Sequence, residues 1–259
     1  MQIQGLQKLT LLDYPEKMAA TVFTAGCNFR CPFCHNASLV TDIDTRYDIP
    51  VSQVMAFLKK RQSVLEGVCI SGGEPLLQPD LEDFIKEVKS LGYLVKLDTN
   101  GSNLDKLQNL VEKSLIDYVA MDVKNTPNKY AMTIGLHEAI NVENRVCPSA
   151  SEGIPSTEKD TQNDCNPEVM SQVLATVDYL KSGIIPYEFR TTIVREFHNR
   201  EDLEAIGKWL EGAEKYYLQE FVDSGDLIGE GFRPYTNEIM NQALEIIRKY
   251  IPQAKIRGN

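Results

Sequence analysis

The chain has 259 residues, of which 42% are hydrophobic and 25% charged, a balance that suits one α/β domain with a sizeable core. Its formal net charge of −10 argues against a surface that grips phosphates or anionic lipids, so we expect neither nucleic acid nor a membrane as a partner. The opening residues show no signal pattern and no apolar run reaches membrane-spanning length, so we expect a cytoplasmic location.

Six apolar runs of strand length alternate with helical patterns along the chain. Strands are predicted at 18–24, 67–71, 94–98, 116–121, 185–194 and 216–222. Helices, with apolar residues at helical spacing, are predicted at 50–61, 79–91, 104–113, 168–181, 202–210 and 237–250. The alternation predicts right-handed β-α-β units and therefore an α/β fold with a parallel sheet.

A polar segment at about 137–167 interrupts this alternation. It is rich in Ser, Pro and Gly and has no apolar periodicity, so we expect a loop inserted into a single domain of residues 1–259. Cys147 and Cys165 lie in this segment. A second metal site or a disulfide stays open for them, although two cysteines in a polar loop are more often bystanders.

Three cysteines follow the first predicted strand in a C-x3-C-x2-C spacing: Cys27, Cys31 and Cys34. Thiolates select iron–sulfur clusters, zinc or cuprous copper, and three of them leave one coordination position open. Phe33 covers the loop, as a cluster shielded from water requires. A structural zinc knuckle is the alternative, but no fourth ligand follows at a matching offset, and His35 directly adjoins Cys34.

Polar motifs follow three further strands. Gly72 and Gly73 allow close approach of the backbone, and Glu74 supplies a carboxylate expected to face the same space. The carboxyl ends of parallel strands meet at one edge of a sheet. We therefore expect one mouth to be surrounded by the cysteine loop, this turn, Asp98-Thr-Asn-Gly101 and Asp122-Val-Lys124.

Each of these motifs also has an ordinary structural explanation. Asp98 and Thr99 suit a helix cap, and Asp122 with Lys124 suits an exposed ion pair of little energetic weight. Arg190 lies inside an apolar strand, so it needs either an acidic neighbour or an anionic ligand, and both remain open. Cys69 lies in an apolar run and is expected to be a buried small hydrophobe, and a structural role is expected for His198.

The cysteine spacing, with aromatic Phe33 just before Cys34, resembles the signature of the radical S-adenosylmethionine (radical SAM) superfamily. In that superfamily three cysteines hold a [4Fe–4S] cluster whose fourth iron chelates the amino and carboxylate groups of SAM. An electron from the cluster then cleaves SAM to methionine and a 5′-deoxyadenosyl radical. The resemblance implies a partial (β/α)6 TIM-like barrel, in which Cys27, Cys31 and Cys34 are the cluster ligands and catalytic residues.

The resemblance also implies which residues contact SAM. Gly72, Gly73 and Glu74 match the turn that binds the SAM amino group, and Lys124 matches a lysine that faces the SAM carboxylate. Oxygen ligands from Asp98, Thr99 and Asp122 suit a monovalent cation beside SAM. The SAM contacts expected by position are Phe33, Gly72, Gly73, Glu74, Asp98, Thr99, Asp122, Lys124 and Arg190.

Several stretches resemble the activating proteins of anaerobic ribonucleoside-triphosphate reductases, which belong to the glycyl-radical-enzyme activases. They are residues 3–15, Cys-Pro-Phe-Cys-His-Asn, Met-Asp-Val-Lys and Tyr-Glu-Phe-Arg-Thr-Thr. This resemblance implies a glycyl radical enzyme as protein substrate and a reductant such as flavodoxin or ferredoxin. The chain departs from many pyruvate formate-lyase activases because Asp223 and Ser224 stand where those enzymes have a histidine, which puts substrate docking there in doubt.

Two other functions are weighed against this one. A radical SAM enzyme for a small molecule or peptide, similar to the 7-carboxy-7-deazaguanine synthases, is disfavoured because their cysteine spacing is usually longer. A non-enzymatic electron-transfer or zinc-binding module would leave Gly72, Glu74, Asp98 and Lys124 without a common purpose. Binding of SAM separates an enzyme from such a module.

Overall fold

The computed structural model describes residues 1–136 and 167–258. Within them, eight strands form one sheet whose spatial order follows the chain. The strands are β1 (Ile3–Thr10), β2 (Ala19–Thr24), β3 (Gly67–Gly72), β4 (Leu94–Thr99), β5 (Tyr118–Asp122), β6 (Tyr187–Ile193), β7 (Tyr216–Glu220) and β8 (Lys255–Arg257). β1 pairs antiparallel with β2, and every other neighbouring pair is parallel.

Helices connect the parallel strands. They are α1 (Val51–Arg61), α2 (Leu81–Ser90), α3 (Leu104–Glu112), α4 (Tyr130–Thr133), α5 (Pro167–Lys181), α6 (Arg200–Trp209) and α7 (Asn237–Arg248). α2 is typical, because its buried residues Leu81, Phe84, Ile85 and Val88 recur at helical spacing on one face. No helix in the described ranges is both long and apolar enough to cross a membrane.

Strands β2 to β7, each followed by helical chain, build the partial barrel of six β/α units that the sequence predicts. The strands are buried on both faces, as in parallel sheets covered by helices. In β3, for example, Val68, Cys69 and Ile70 are all fully buried. The expectation that Cys69 is a buried small residue is therefore confirmed.

Two strands and one helix were not predicted. β1 is an edge strand with mostly polar, half-exposed or exposed residues, so it lacks the continuous apolar run that marks a buried strand. β8 has three residues and α4 has four, too short for a periodic pattern. The predicted insertion, with Cys147 and Cys165, lies outside the described residues except for Pro167, with which α5 begins.

Candidate active site

The carboxyl ends of the parallel strands surround a cavity of about 390 Å³. Its walls come from the segment after β2 and from the ends of β3, β4, β5 and β6. All residues expected at the site except Glu74 line this cavity: Cys27, Cys31, Phe33, Cys34, Gly72, Gly73, Asp98, Thr99, Asp122, Lys124 and Arg190. The structure thus brings four separate sequence motifs to one place.

Backbone hydrogen bonds shape the loop that carries the three cysteines. The Gly26 N–H donates to the Leu39 carbonyl at 2.8 Å, and the Arg30 N–H donates to the Ile134 carbonyl at 2.8 Å. The Cys34 N–H donates to the Cys31 carbonyl at 3.0 Å, which closes a tight turn between two of the thiols. Because the main chain fixes the loop, the free thiols are left to face the cavity.

Burial sets the protonation of these thiols. It raises the pKa of Cys27 to about 11 and that of Cys31 to about 12, and it also raises the pKa of Cys34. The Lys124 ammonium lowers all three pKa values, but by less than burial raises them. The thiols are therefore neutral at pH 7, and metal binding to them releases protons.

The three thiols are a donor set that an iron–sulfur cluster can use. Within residues 1–136 and 167–258, no three or more His, Cys, Asp or Glu side chains form a group able to hold one ion. In a [4Fe–4S] cluster each cysteine sulfur binds a different iron atom. Three free thiols at one cavity fit that requirement, since each can supply a ligand to one iron.

The glycines at the end of β3 are required by packing against the main chain. Gly72 has φ +108°, and a Cβ there would collide with the backbone of Thr24. A Cβ on Gly73 would collide with the Gly26 carbonyl. The backbone N–H groups of Gly73 and Glu74 donate to Thr24 and Gly26 at 2.9 and 2.8 Å. The turn is thereby fixed to the start of the cysteine loop.

The position of Glu74 differs from the one expected from the sequence. Its carboxylate was expected to face the cavity, but its side chain is fully buried behind the cavity wall. Its oxygens accept from the Asn100 N–H at 2.6 Å, the Thr99 hydroxyl at 2.9 Å and the Leu76 N–H at 3.1 Å. Burial raises the pKa of Glu74 to about 7, although these hydrogen bonds oppose the rise. Glu74 joins the ends of β3 and β4.

Five ionised side chains form what we call the charged network: Lys96, Asp98, Asp122, Lys124 and Arg190. Arg190 bridges the two carboxylates, with Nε 2.9 Å from Asp122 and Nη1 3.3 Å from Asp98. Lys124 lies 3.2 Å from Asp122, and Lys96 pairs with Asp98. Of the two partners that the sequence left open for Arg190, an acidic neighbour or an anionic ligand, the structure shows acidic neighbours.

The cations of the charged network keep both carboxyl groups ionised. Burial alone would raise the pKa values of Asp98 and Asp122, but the neighbouring cations more than offset it and hold both pKa values below their usual range. Asp122 in turn raises the pKa of Lys124 against the opposing effect of burial. Asp122 and Lys124 are 29% and 19% exposed, so their pair is not the weak surface pair that was the alternative.

Comparison with known proteins identifies the family of the chain. The model of the Radical SAM superfamily matches residues 21–210, which is more than half of the chain. The chain belongs to the radical SAM superfamily.

Individual relatives of this radical SAM protein differ in their named activity. A Methanocaldococcus jannaschii protein, provisionally named a glycyl-radical enzyme activating enzyme, is 30% identical over 98% of this chain and 95% of its own length. A 7-carboxy-7-deazaguanine synthase of Thermoplasma acidophilum is 36% identical over 40% of this chain and 46% of its own length. The structure of a domain of a pyruvate-formate lyase-activating enzyme from Bacteroides vulgatus superposes with a TM-score of 0.52 at 16% identity, covering 74% of this chain and 99% of that domain.

A segment that follows β7 packs against the cysteine loop, and sequence reasoning missed it. We call residues 221–235, which follow β7, the covering segment. The Gly229 N–H donates to the Pro32 carbonyl at 2.7 Å, and Asp226 accepts from the Ser38 hydroxyl at 2.7 Å and from its N–H at 3.1 Å. Phe232 packs 5.6 Å from Phe197, whose ring lies 5.1 Å from Phe33.

Further residues of the site were also missed or only partly recognised. Asn100 donates to the Asn28 side chain at 2.9 Å and lies 3.8 Å from the Cys27 sulfur. His198 is buried, and its Nε2 lies 2.9 Å from the Lys124 carbonyl, so it has the structural role expected of it. His35 lines the cavity with a buried Nε2 that has no hydrogen-bond partner among the described residues.

Proposed function

We propose that Cys27, Cys31 and Cys34 hold a [4Fe–4S] cluster, and that the protein uses SAM to install a glycyl radical on a partner enzyme. The cavity carries this proposal, because it places three free thiols opposite a polar wall of strand ends. Its volume of about 390 Å³ lies in the range of small-molecule sites, about 300–1,000 Å³. The similarity to a named activase over 98% of the chain supports the same class of reaction.

When bound, a [4Fe–4S] cluster held by Cys27, Cys31 and Cys34 would supply the electron that cleaves SAM to methionine and a 5′-deoxyadenosyl radical. That radical would take a hydrogen atom from a glycine Cα of the partner, giving 5′-deoxyadenosine and the glycyl radical. The electron comes from a one-electron donor such as flavodoxin or ferredoxin. The partner is an anaerobic ribonucleotide reductase or another glycyl radical enzyme.

This chain contributes binding, orientation and exclusion of water. Lys124 lines the cavity as a half-buried cation, and we expect it to meet the carboxylate of SAM. Gly72 and Gly73 present main chain at the cavity wall, while Glu74 fixes that wall from behind. Phe33 packs against Phe197, and the covering segment contacts the cysteine loop at Pro32, so both help to enclose the loop.

Anaerobic production of 5′-deoxyadenosine tests the first part of the proposal. The protein is reconstituted with iron and sulfide, reduced with dithionite and given SAM. We expect 5′-deoxyadenosine from the unaltered protein and from Cys147→Ala, whose cysteine lies outside the loop, and none from Cys31→Ala. A protein that takes up zinc, assembles no cluster and leaves SAM intact would overturn the proposal.

Electron paramagnetic resonance of the mixture with an anaerobic ribonucleotide reductase tests the second part. We expect a glycyl radical signal that disappears when the reductase glycine is replaced by alanine. Steady 5′-deoxyadenosine formation without a glycyl radical on any glycyl radical enzyme tried would instead favour a small-molecule substrate. The partial similarity to a 7-carboxy-7-deazaguanine synthase makes that the second candidate function.

A further inference from the structure

We infer that Lys96 and Arg190 take the place of the monovalent cation expected beside SAM, so that this chain binds SAM without an inorganic cation. The inference rests on the proposed function, since it concerns the same SAM site. It makes Lys96 a positioning residue that acts through Asp98.

The first observation is that Asp98 already has a partner on each carboxylate oxygen. Lys96 is fully buried and pairs with Oδ1. The Ser71 hydroxyl donates to Oδ2 at 2.9 Å, and Arg190 Nη1 lies 3.3 Å from the same oxygen. Two cations of the protein therefore already contact the carboxylate of Asp98, which leaves it little uncompensated charge to offer an inorganic cation.

The other two expected cation ligands are engaged in the same way. Asp122 accepts from Arg190 Nε at 2.9 Å on Oδ1 and from Lys124 Nζ at 3.2 Å on Oδ2. The Thr99 hydroxyl donates to Glu74 at 2.9 Å and accepts from the Gly101 N–H at 3.1 Å. All three residues expected to bind a cation thus already have hydrogen-bond or ion-pair partners within the protein.

The charge balance points the same way. The charged network holds three cations, Lys96, Arg190 and Lys124, and two carboxylates. The nearby carboxylate of Glu188 is committed to Arg257, with contacts of 2.9 and 3.1 Å. Even with the SAM carboxylate on Lys124, Lys96 and Arg190 balance Asp98 and Asp122, so a further cation would add an uncompensated positive charge to a partly buried site. The donor set therefore does not fit a monovalent cation.

Lys96 also has a clear place in the fold. It lies two residues before Asp98 on β4, so both side chains stand on the same face of the sheet. Its ammonium is 3.8 Å from the Cys69 sulfur on β3, the neighbouring strand. Lys124 and Arg190 both line the cavity, but Arg190 bridges two carboxylates while Lys124 pairs with one, so we assign Lys124 to the SAM carboxylate.

Salt exchange on the unaltered protein is the direct test. SAM affinity is measured by equilibrium dialysis, and 5′-deoxyadenosine formation is followed in parallel, in choline chloride, NaCl and KCl at one ionic strength. At one ionic strength the three salts screen charges equally, so they differ only in the cation that could bind. We therefore expect SAM dissociation constants that agree within about twofold. Tighter binding in NaCl or KCl by more than that would overturn the inference.

Lys96→Met sharpens the test because it vacates one oxygen of Asp98. We expect SAM binding by this variant to become K⁺- or Na⁺-dependent, and its thermal unfolding midpoint to rise in KCl relative to choline chloride. Lys60→Met, on the exposed side of α1, is the matched control and should respond to neither. A Lys96→Met protein with equal SAM affinity in all three salts would contradict the role given to Lys96.

Two failures remain distinguishable. If Lys96→Met does not fold, the salt series on the unaltered protein still decides. If the unaltered protein binds no SAM in any salt, the proposed function fails. Its thermal midpoint then tests only the part of the inference that concerns the cation: equal midpoints in KCl and choline chloride indicate that no cation binds, and a rise in KCl overturns it.

Discussion

The two walls of the cavity are built by different means. The strand wall carries the charged network on β4, β5 and β6, where neighbouring strands fix Asp122 directly opposite Arg190. The loop wall carries the cysteines and is held by backbone hydrogen bonds, by aromatic contacts and by the covering segment. Buried charges depend on each other, whereas loop contacts can open one at a time.

This difference separates stability from access. A change in the strand wall leaves a charge buried without its partner and should destabilise the whole fold. A change in the loop wall should expose the cysteines with little effect on global unfolding. Three substitutions test the contrast, from the largest expected effect to the smallest.

Arg190→Met should have the largest effect. It leaves Asp98 and Asp122 without the guanidinium that bridges them, and breaking a buried pair costs about 3–5 kcal/mol of the free energy of unfolding. Urea denaturation measures the loss. Arg200→Met, which removes an exposed arginine paired with Glu204 on α6, is the control and should leave the urea midpoint almost unchanged. Equal midpoints for both variants would refute the energetic role of the strand wall.

Glu74→Gln should change how stability depends on pH. Burial raises the pKa of Glu74 to about 7 in the folded state, above its usual value of 4.5. Between these values the folded chain retains a proton that the unfolded chain has lost, so the free energy of unfolding falls as pH rises, by up to about 3 kcal/mol. Glu74→Gln should therefore lose less stability than the unaltered protein between pH 5 and pH 7.

The measurement is a series of urea unfolding curves at several pH values. Glu87→Gln, on the exposed side of α2, serves as control and should retain the slope of the unaltered protein. If Glu74→Gln has the same slope as that control, Glu74 is not the group that titrates in this range.

Asp226→Ala should have the smallest effect on stability and a visible effect on access. It removes the hydrogen bonds from Ser38 that hold the covering segment to the cysteine loop. A loss of about 1 kcal/mol in local contacts raises the open population about fivefold. The absorbance of the reconstituted cluster should then bleach faster in air. Glu230→Gln, an exposed acidic residue of the same segment, should bleach at the unaltered rate.

The sequence predicts the parts of the molecule that repeat a local pattern. The six β/α units follow from apolar runs, and the cysteines follow from their spacing. Lys96 carried a usable signal, since it stands two residues before Asp98 and hence on the same face of β4. Lysines are seldom fully buried, so the sequence alone did not indicate that Lys96 pairs with Asp98 inside the protein.

Other features depend on contacts between distant parts of the chain. Arg190 meets Asp122 because of the register between β5 and β6, across 68 positions of sequence. Asp226 reaches Ser38 across 188 positions. The Glu74 side chain lies behind the cavity wall because its hydrogen-bond donors, Thr99 and Asn100, lie at the end of the neighbouring strand β4. No local pattern encodes these pairings, so sequence reasoning found the residues without finding their partners.

The most direct test of the account is the low-temperature electron paramagnetic resonance spectrum of the reduced, reconstituted protein before and after SAM is added. The account predicts an iron–sulfur signal in the unaltered protein that changes shape when SAM binds, and no such signal in Cys31→Ala. A cluster signal that SAM leaves unchanged, or the same signal in Cys31→Ala, would contradict the assignment of this cavity as a radical SAM site.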